Sequence, residues 1–134
     1  MKKIISPTNA PKPIGPYSGA ILVEGFLYVS GQIPVDPSSG KIVSDNIKDQ
    51  TLQVMKNLKY YLQCAEMNFE NVIKTSIFIK DMNDFSKINE VYGNFFNESN
   101  YPARETIEVS RLPKDAHVEI SLIAHSSKAK NTTS

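Results

Sequence analysis

Cysteine is nearly absent: Cys64 stands alone, which rules out a disulfide within the chain and fits a reducing, cytoplasmic setting. Long apolar runs are missing too, and without about 18 consecutive apolar residues no transmembrane helix is expected. Neither sign of charge is in excess. With 15 Lys and Arg against 14 Asp and Glu the formal net charge is +1, so no broad field for RNA, DNA or an anionic membrane is expected. Histidine is scarce, and His117 and His125 are the two present. On one strand their eight-residue separation is roughly 26 Å at about 3.3 Å per residue. Within one chain they can share neither a phosphate nor a metal ion, and no metal-ligand spacing occurs elsewhere. No internal repeat is visible. The opening "MKKIISPTNAPKPIGPYSG" has no sustained apolar segment and is cut by Pro7, Pro11 and Pro13, so it does not read as a secretory signal. It contains no arginine, which weakens a transit-peptide reading. "NES" at 97–99 and "NTT" at 131–133 match the glycosylation pattern, one common by chance.

What is present suits a globular domain. Apolar residues make up 40% and charged residues 22% of 134, enough for one domain with a real core. The expected division is a domain over 1–127 and a loose tail over 128–134. "GAILVEGFLYVSG" reads as a hairpin turning at Glu24-Gly25, and "IPVDPSSGK" reads as loop. From about Asn46 to Met67, Ile47, Thr51, Val54, Leu58, Tyr61, Leu62 and Ala65 fall on one helical face. Cys64, near the end of that helix, reads as an unreactive structural or surface thiol. "NVIKTSIFIK" at 71–80 is β-branched and apolar, a central strand. A second helix is predicted over about Asp84 to Glu98, with Phe85, Ile88, Tyr92, Phe95 and Phe96 inward and Asn83 or Asp84 as N-cap. Gly93 inside it costs about 1 kcal/mol relative to Ala and so points to tight packing. The Tyr60-Tyr61 and Phe95-Phe96 pairs read as core rather than base-stacking platforms.

Two alternating segments close the chain, "ARETIEVS" at 103–110 and "HVEISLIAH" at 117–125. Side chains two apart share a strand face. With Ile107 and Val109 facing the helices, Arg104, Thr106 and Glu108 face away; with Val118, Ile120 and Leu122 inward, Glu119 and Ser121 face away. A simple hairpin would place Thr106 opposite Glu119 and Arg104 on the diagonal, roughly 7 Å off between α-carbons; an intervening strand is the other arrangement. The element order ββ, α, β, α, ββ implies a mixed sheet with both helices on one face. The second face is then either solvated or the wall of a site. Its apolar content, including Ile123, favours a cover, and with no sequence left to supply one the cover would be another subunit.

Five stretches carry a family resemblance: "GPYSGA" at 15–20, "YVSGQIPVDPSSG" at 28–40, "TSIFIKDMNDFSKIN" at 75–89, "YPAR" at 101–104 and "RLPKDAHVEI" at 111–120. The chain resembles the RidA family, also called YjgF or UK114. The resemblance implies an α+β fold, a mixed six-stranded sheet with two helices on one face, similar to bacillus-type chorismate mutase. It further implies a homotrimer with intersubunit clefts and hydrolysis of 2-imino acids and enamines, such as 2-iminobutanoate and 2-iminopropanoate, to 2-keto acids and ammonia. No metal or organic cofactor is implied; the functional link is to PLP-dependent dehydratases that release such intermediates.

Residue by residue, Arg104 matches the arginine that grips the substrate carboxylate, where a planar guanidinium forms two parallel charge-assisted bonds. Gly31 matches a backbone donor at the same end of the ligand, and Tyr17, Ser30 and Asn89 match polar positions of the cleft. Glu119 matches the carboxylate that holds the attacking water. Thr106 stands where many members carry cysteine, so a thiolate mechanism is excluded there while a hydroxyl remains to bind or relay a proton. The Asn89–Arg104 spacing is about two residues shorter than in bacterial members, which bears on the cleft rim. Two other readings stay open: a non-catalytic trimeric ligand-binding or regulatory protein, and the ribonuclease or translation-inhibitor activity ascribed to the family.

Overall fold

The structure is a computed structural model describing residues 1–128. Positions 129–134, which include most of the expected tail and the "NTT" pattern, lie outside the described residues. In chain order the elements are β1 (Lys3–Ile5), β2 (Ala20–Val23), β3 (Phe26–Gln32), α1 (Ile47–Cys64), β4 (Val72–Ile79), α2 (Phe85–Gly93), β5 (Ala103–Glu108) and β6 (Val118–His125). The six strands form one mixed sheet in the order β1-β2-β3-β6-β4-β5, and the β4–β5 pair is parallel while the other pairs are antiparallel.

Local chemistry accounts for the elements. Glu24 and Gly25 both adopt positive φ, 50° and 80°, the primed turn whose twist matches a two-residue hairpin. Asn46 caps α1 by accepting from the amides of Lys48 and Asp49. Ile47, Thr51, Val54, Leu58, Tyr61 and Leu62 are buried along the helix, as their spacing requires. From β3 through α1 to β4, and from β4 through α2 to β5, the chain advances the same way across the sheet. Right-handed crossovers in one direction put both helices on one face. β6 then fills the gap between the parallel strands β3 and β4. Helices α1 and α2 pack on each other, and α1 lies over β3 and β6; Leu27, Leu58, Leu62, Ile77, Ile120 and Val118 are fully buried between the layers.

Two expectations are corrected. The second helix ends at Gly93, and a Cβ there would meet nothing closer than the Tyr101 hydroxyl at 4.0 Å, so this glycine marks a helix end and not tight packing. Asp84 occupies the α2 N-cap position without a side-chain bond; Asp81 instead caps the short 3-10 turn before it. Of the two arrangements open for the last two strands, the structure has the intervening strand: β4 lies between them.

Buried polar groups tie the loop after β3 to α1. Asn57, fully buried, donates from Nδ2 to the carbonyls of Ile33 at 3.2 Å and Val35 at 3.0 Å. Asn57→Ala is expected to destabilise the fold by about 1–3 kcal/mol through the carbonyl left unpaired, measured by urea unfolding. A change within error would show that water replaces the amide.

The sheet face away from the helices is apolar and uncovered. Ile4, Ile21, Tyr28 and Ile123 form one cross-strand row, and Ile107, Phe78 and Glu119 form another. Ile4 is 58%, Tyr28 45% and Ile107 47% exposed.

Candidate active site

The expected site residues fall into two clusters. The first surrounds Glu119, which projects from β6 onto the uncovered face. The β3–β6 register slips between Val29 and Gln32, an irregularity of the kind that re-aims side chains beside sites. At this slip Gly31 lets the Glu119 side chain lie against the backbone: a Cβ on residue 31 would sit 2.3 Å from Glu119 Oε2 and 2.7 Å from its Cδ. The family resemblance expects Gly31 as a backbone donor to the ligand; the space its missing Cβ leaves is taken by the Glu119 carboxylate. Ser30 donates its hydroxyl to the Ser18 carbonyl at 2.8 Å and its amide to the Gly19 carbonyl at 2.8 Å, which fixes the Tyr17–Gly19 segment beside β3. Tyr17, Gly31 and Glu119 then line one cavity of about 350 Å³, closed on its other sides by residues 11–14 and by Pro113 and Lys114.

Glu119 has no hydrogen-bond donor among the described residues, and its half-burial pushes its pKa up by desolvation. A raised carboxylate pKa means that the ionised form is less stable folded than unfolded. The associated stability is complete below the ordinary carboxylate range and is lost as pH rises through the folded value. Glu119→Gln is therefore expected to raise Tm at neutral pH, with the gain vanishing as pH falls below about 4. Thermal melts across pH 3–8 would refute this if the variant were equally or less stable at neutral pH.

The second cluster lies on β5, the sheet edge. Arg104 Nη1 donates to Asn89 Oδ1 at 2.7 Å. Its guanidinium carbon stands 5.6 Å from the Phe85 ring centroid and 5.2 Å from that of Tyr92, within cation–π range. Tyr92 is held by a 2.7 Å bond between its hydroxyl and Thr75 Oγ1. Arg104 has no carboxylate partner among the described residues. With Asn89, Tyr92, Tyr101 and Pro102 it lines a second pocket of about 340 Å³ that shares no residue with the Glu119 cavity. Thr106 shares the strand face of Arg104, and its hydroxyl is buried with no partner among the described residues.

One expectation about faces is thereby overturned. Arg104 pairs with Thr75 and Thr106 with Ile77, both core-facing residues of β4, so these side chains point to the helix layer. Ile107 and Glu105 point the other way, Glu105 accepting from Ser76 Oγ and pairing with Lys74. Within one chain Arg104 and Thr106 stand on the opposite face from Glu119.

His125 packs against Phe26 with ring centroids 4.4 Å apart at one end of β6, and His117 lies just before the other end, its amide held by Gln50 Oε1 at 2.9 Å. Among the described residues no group of three or more His, Cys, Asp or Glu could hold a metal ion, and no helix is long and apolar enough to cross a membrane. Cys64 is exposed.

The sequence profile of the endoribonuclease L-PSP family matches residues 7–126. The chain belongs to this family. It is the RidA, or YjgF, family of the motif resemblance. A RutC family protein from Pyrococcus horikoshii is 55% identical over 125 residues, 93% of this chain and 98% of that one. The human 2-iminobutanoate/2-iminopropanoate deaminase is 44% identical over 124 residues, 92% and 90% of the two chains. The solved structure of E. coli TdcF with bound serine superposes with a TM-score of 0.87 at 41% identity, covering 93% of this chain and 99% of that one. Membership and the deaminase relatives support a reactive-intermediate deaminase reading.

Two residues that sequence reasoning left in the core or passed over also line the Glu119 cavity: Tyr61 and Gln32. Tyr61 belongs to the buried stripe of α1, and periodicity reports which way a helix face points but not where the end of a long side chain emerges.

Proposed function

We propose that the protein hydrolyses 2-imino acids and their enamine tautomers to 2-keto acids and ammonia, in clefts formed between copies of a homotrimer. The observation that carries this reading is the division of the site. A guanidinium with no carboxylate partner and a half-buried carboxylate with no donor among the described residues stand in separate pockets. Each lacks what the other offers to an imino acid. The uncovered apolar sheet face supports association, since an isolated copy would leave it in water.

In this mechanism Arg104 of one copy binds the substrate carboxylate in a bidentate pair, with Asn89 fixing the guanidinium. Glu119 of a second copy holds a water against C2 of the protonated imine. The water oxygen bonds to C2, the C=N pair withdraws onto nitrogen, and the water's proton passes to Glu119. Returning that proton to nitrogen lets the C–N bond break: its electron pair leaves with ammonia, a lone pair on the hydroxyl oxygen forms the C=O bond, and the hydroxyl proton passes to Glu119 and on to the departing ammonia, leaving the keto acid and ammonium. Thr106, with an unspent hydroxyl on the Arg104 side, serves as donor or acceptor to the ligand. No cofactor takes part. PLP-dependent dehydratases are the class of enzyme that would supply the substrate.

The direct test generates 2-iminobutanoate with threonine dehydratase and traps it with semicarbazide. Added protein is expected to lower the trapped imine in proportion to its concentration. An excess of protein that leaves trapping unchanged would refute deamination.

A further inference from the structure

Gly19 and Tyr61 form a matched pair at the floor of the Glu119 cavity. A Cβ on residue 19 would lie 2.0 Å from the Tyr61 hydroxyl oxygen, 2.6 Å from Cζ and 2.8 Å from Cε1. The phenol ring thus occupies the volume that any side chain at position 19 would need. That ring is anchored in the core and cannot swing aside as a flexible chain could. Tyr61 is only 2% exposed, yet it lines the cavity beside Gly19, Gln32 and Glu119. The polar end of a core residue of α1 therefore arrives at the bottom of the candidate active site.

The chemistry of that end is defined by its neighbours. Burial pushes the phenol pKa up, with Tyr17 and Cys64 acting in the same sense and hydrogen bonding from Gln32 acting against them. The phenol keeps its proton at neutral pH. Gln32, itself buried, donates Nε2 to the Ser30 carbonyl at 3.2 Å and lines the cavity beside the phenol. Because Tyr61 lines the cavity, its hydroxyl hydrogen is available to an acceptor there. The walls above it, Ile14, Ile33, Val35 and Pro113, are apolar, and the volume of about 350 Å³ exceeds what a three- or four-carbon imino acid fills.

We propose that Tyr61 is a specificity-determining residue: its hydroxyl, admitted by Gly19, receives a neutral oxygen at the end of the ligand side chain. The site then favours 2-imino and 2-keto acids ending in a hydroxyl or carbonyl oxygen over those ending in a methyl group. This rests on the proposed function for the placement of the ligand's carboxylate and C2.

The test compares two keto acids that differ by OH for CH3, 4-hydroxy-2-oxobutanoate and 2-oxopentanoate, by calorimetric titration of the assembled protein. The hydroxy acid is expected to bind about tenfold tighter to the unmodified protein, the worth of one well-placed hydrogen bond. Tyr61→Phe keeps the ring and its packing; it should narrow the ratio to within about twofold while leaving 2-oxopentanoate affinity unchanged. Equal affinities in the unmodified protein, a preference that survives Tyr61→Phe, or binding of neither acid would overturn the assignment. Because the readout is binding, the Tyr61 preference in a protein that consumes no imine would count against deamination and in favour of this role.

Discussion

Arg104→Ala is expected to lower kcat/KM for 2-iminobutanoate by at least about a hundredfold, the scale set by losing a desolvated bidentate charge pair. The fold should survive. Arg104 is exposed and its stabilising contacts are the Asn89 bond and the faces of Phe85 and Tyr92, together about 1 kcal/mol at an exposed site. Arg104→Lys separates charge from geometry: an ammonium keeps the attraction but not the two parallel bonds, so activity between the parent and the alanine variant is expected. The semicarbazide assay gives the rates and far-UV circular dichroism the fold. Arg104→Ala with more than a third of the parental rate would remove the guanidinium from the mechanism.

The second large effect is a recovery. Glu119→Ala should also be nearly inactive, with turnover falling more than binding, since in the proposed mechanism it removes the group that holds water rather than the one that grips the ligand. Unfolded together in equal amounts and refolded, the two inactive variants should regain about a quarter of parental activity. In the proposed cyclic assembly each cleft would draw Arg104 from one copy and Glu119 from its neighbour, and chance would give both intact residues to one cleft in about four. A site within one chain would recover nothing. Zero recovery in refolded, assembled mixtures would place both residues in the same subunit's site and refute the shared cleft. The opposite-face placement of Arg104 and Glu119 makes this test decisive, because no side-chain rotation brings them together through a sheet.

Much of the architecture was legible. The stripe Ile47, Thr51, Val54, Leu58, Leu62 defines α1 and is buried as its spacing implies, because the helical period is fixed by backbone geometry. Gly25 marked the turn because glycine adopts positive φ without steric cost, and Glu24 beside it takes the other positive φ. The helix pair on one face followed from element order and crossover handedness. The short β1 at Lys3–Ile5 escaped the periodic reading, being only three residues long; the sixth strand was expected from the family resemblance alone.

The sequence by itself determined which residues travel together. Arg104 with Thr106 and Glu108, and Glu119 with Ser121 and Ile123, share faces because a strand repeats every two residues. It could not decide which face each set takes. The sheet is apolar on both sides, so Ile107 meets Phe78 on the open face as readily as it would meet a helix, and hydrophobicity no longer distinguishes inside from outside. The crossover through α2 decides it, laying β5 parallel to β4 in the register that sends Arg104 toward Asn89 and Tyr92. Tertiary structure likewise brought the Tyr61 phenol beside Gly19 and seated the Glu119 carboxylate on Gly31. Those contacts span dozens of residues of chain, where no local period reaches.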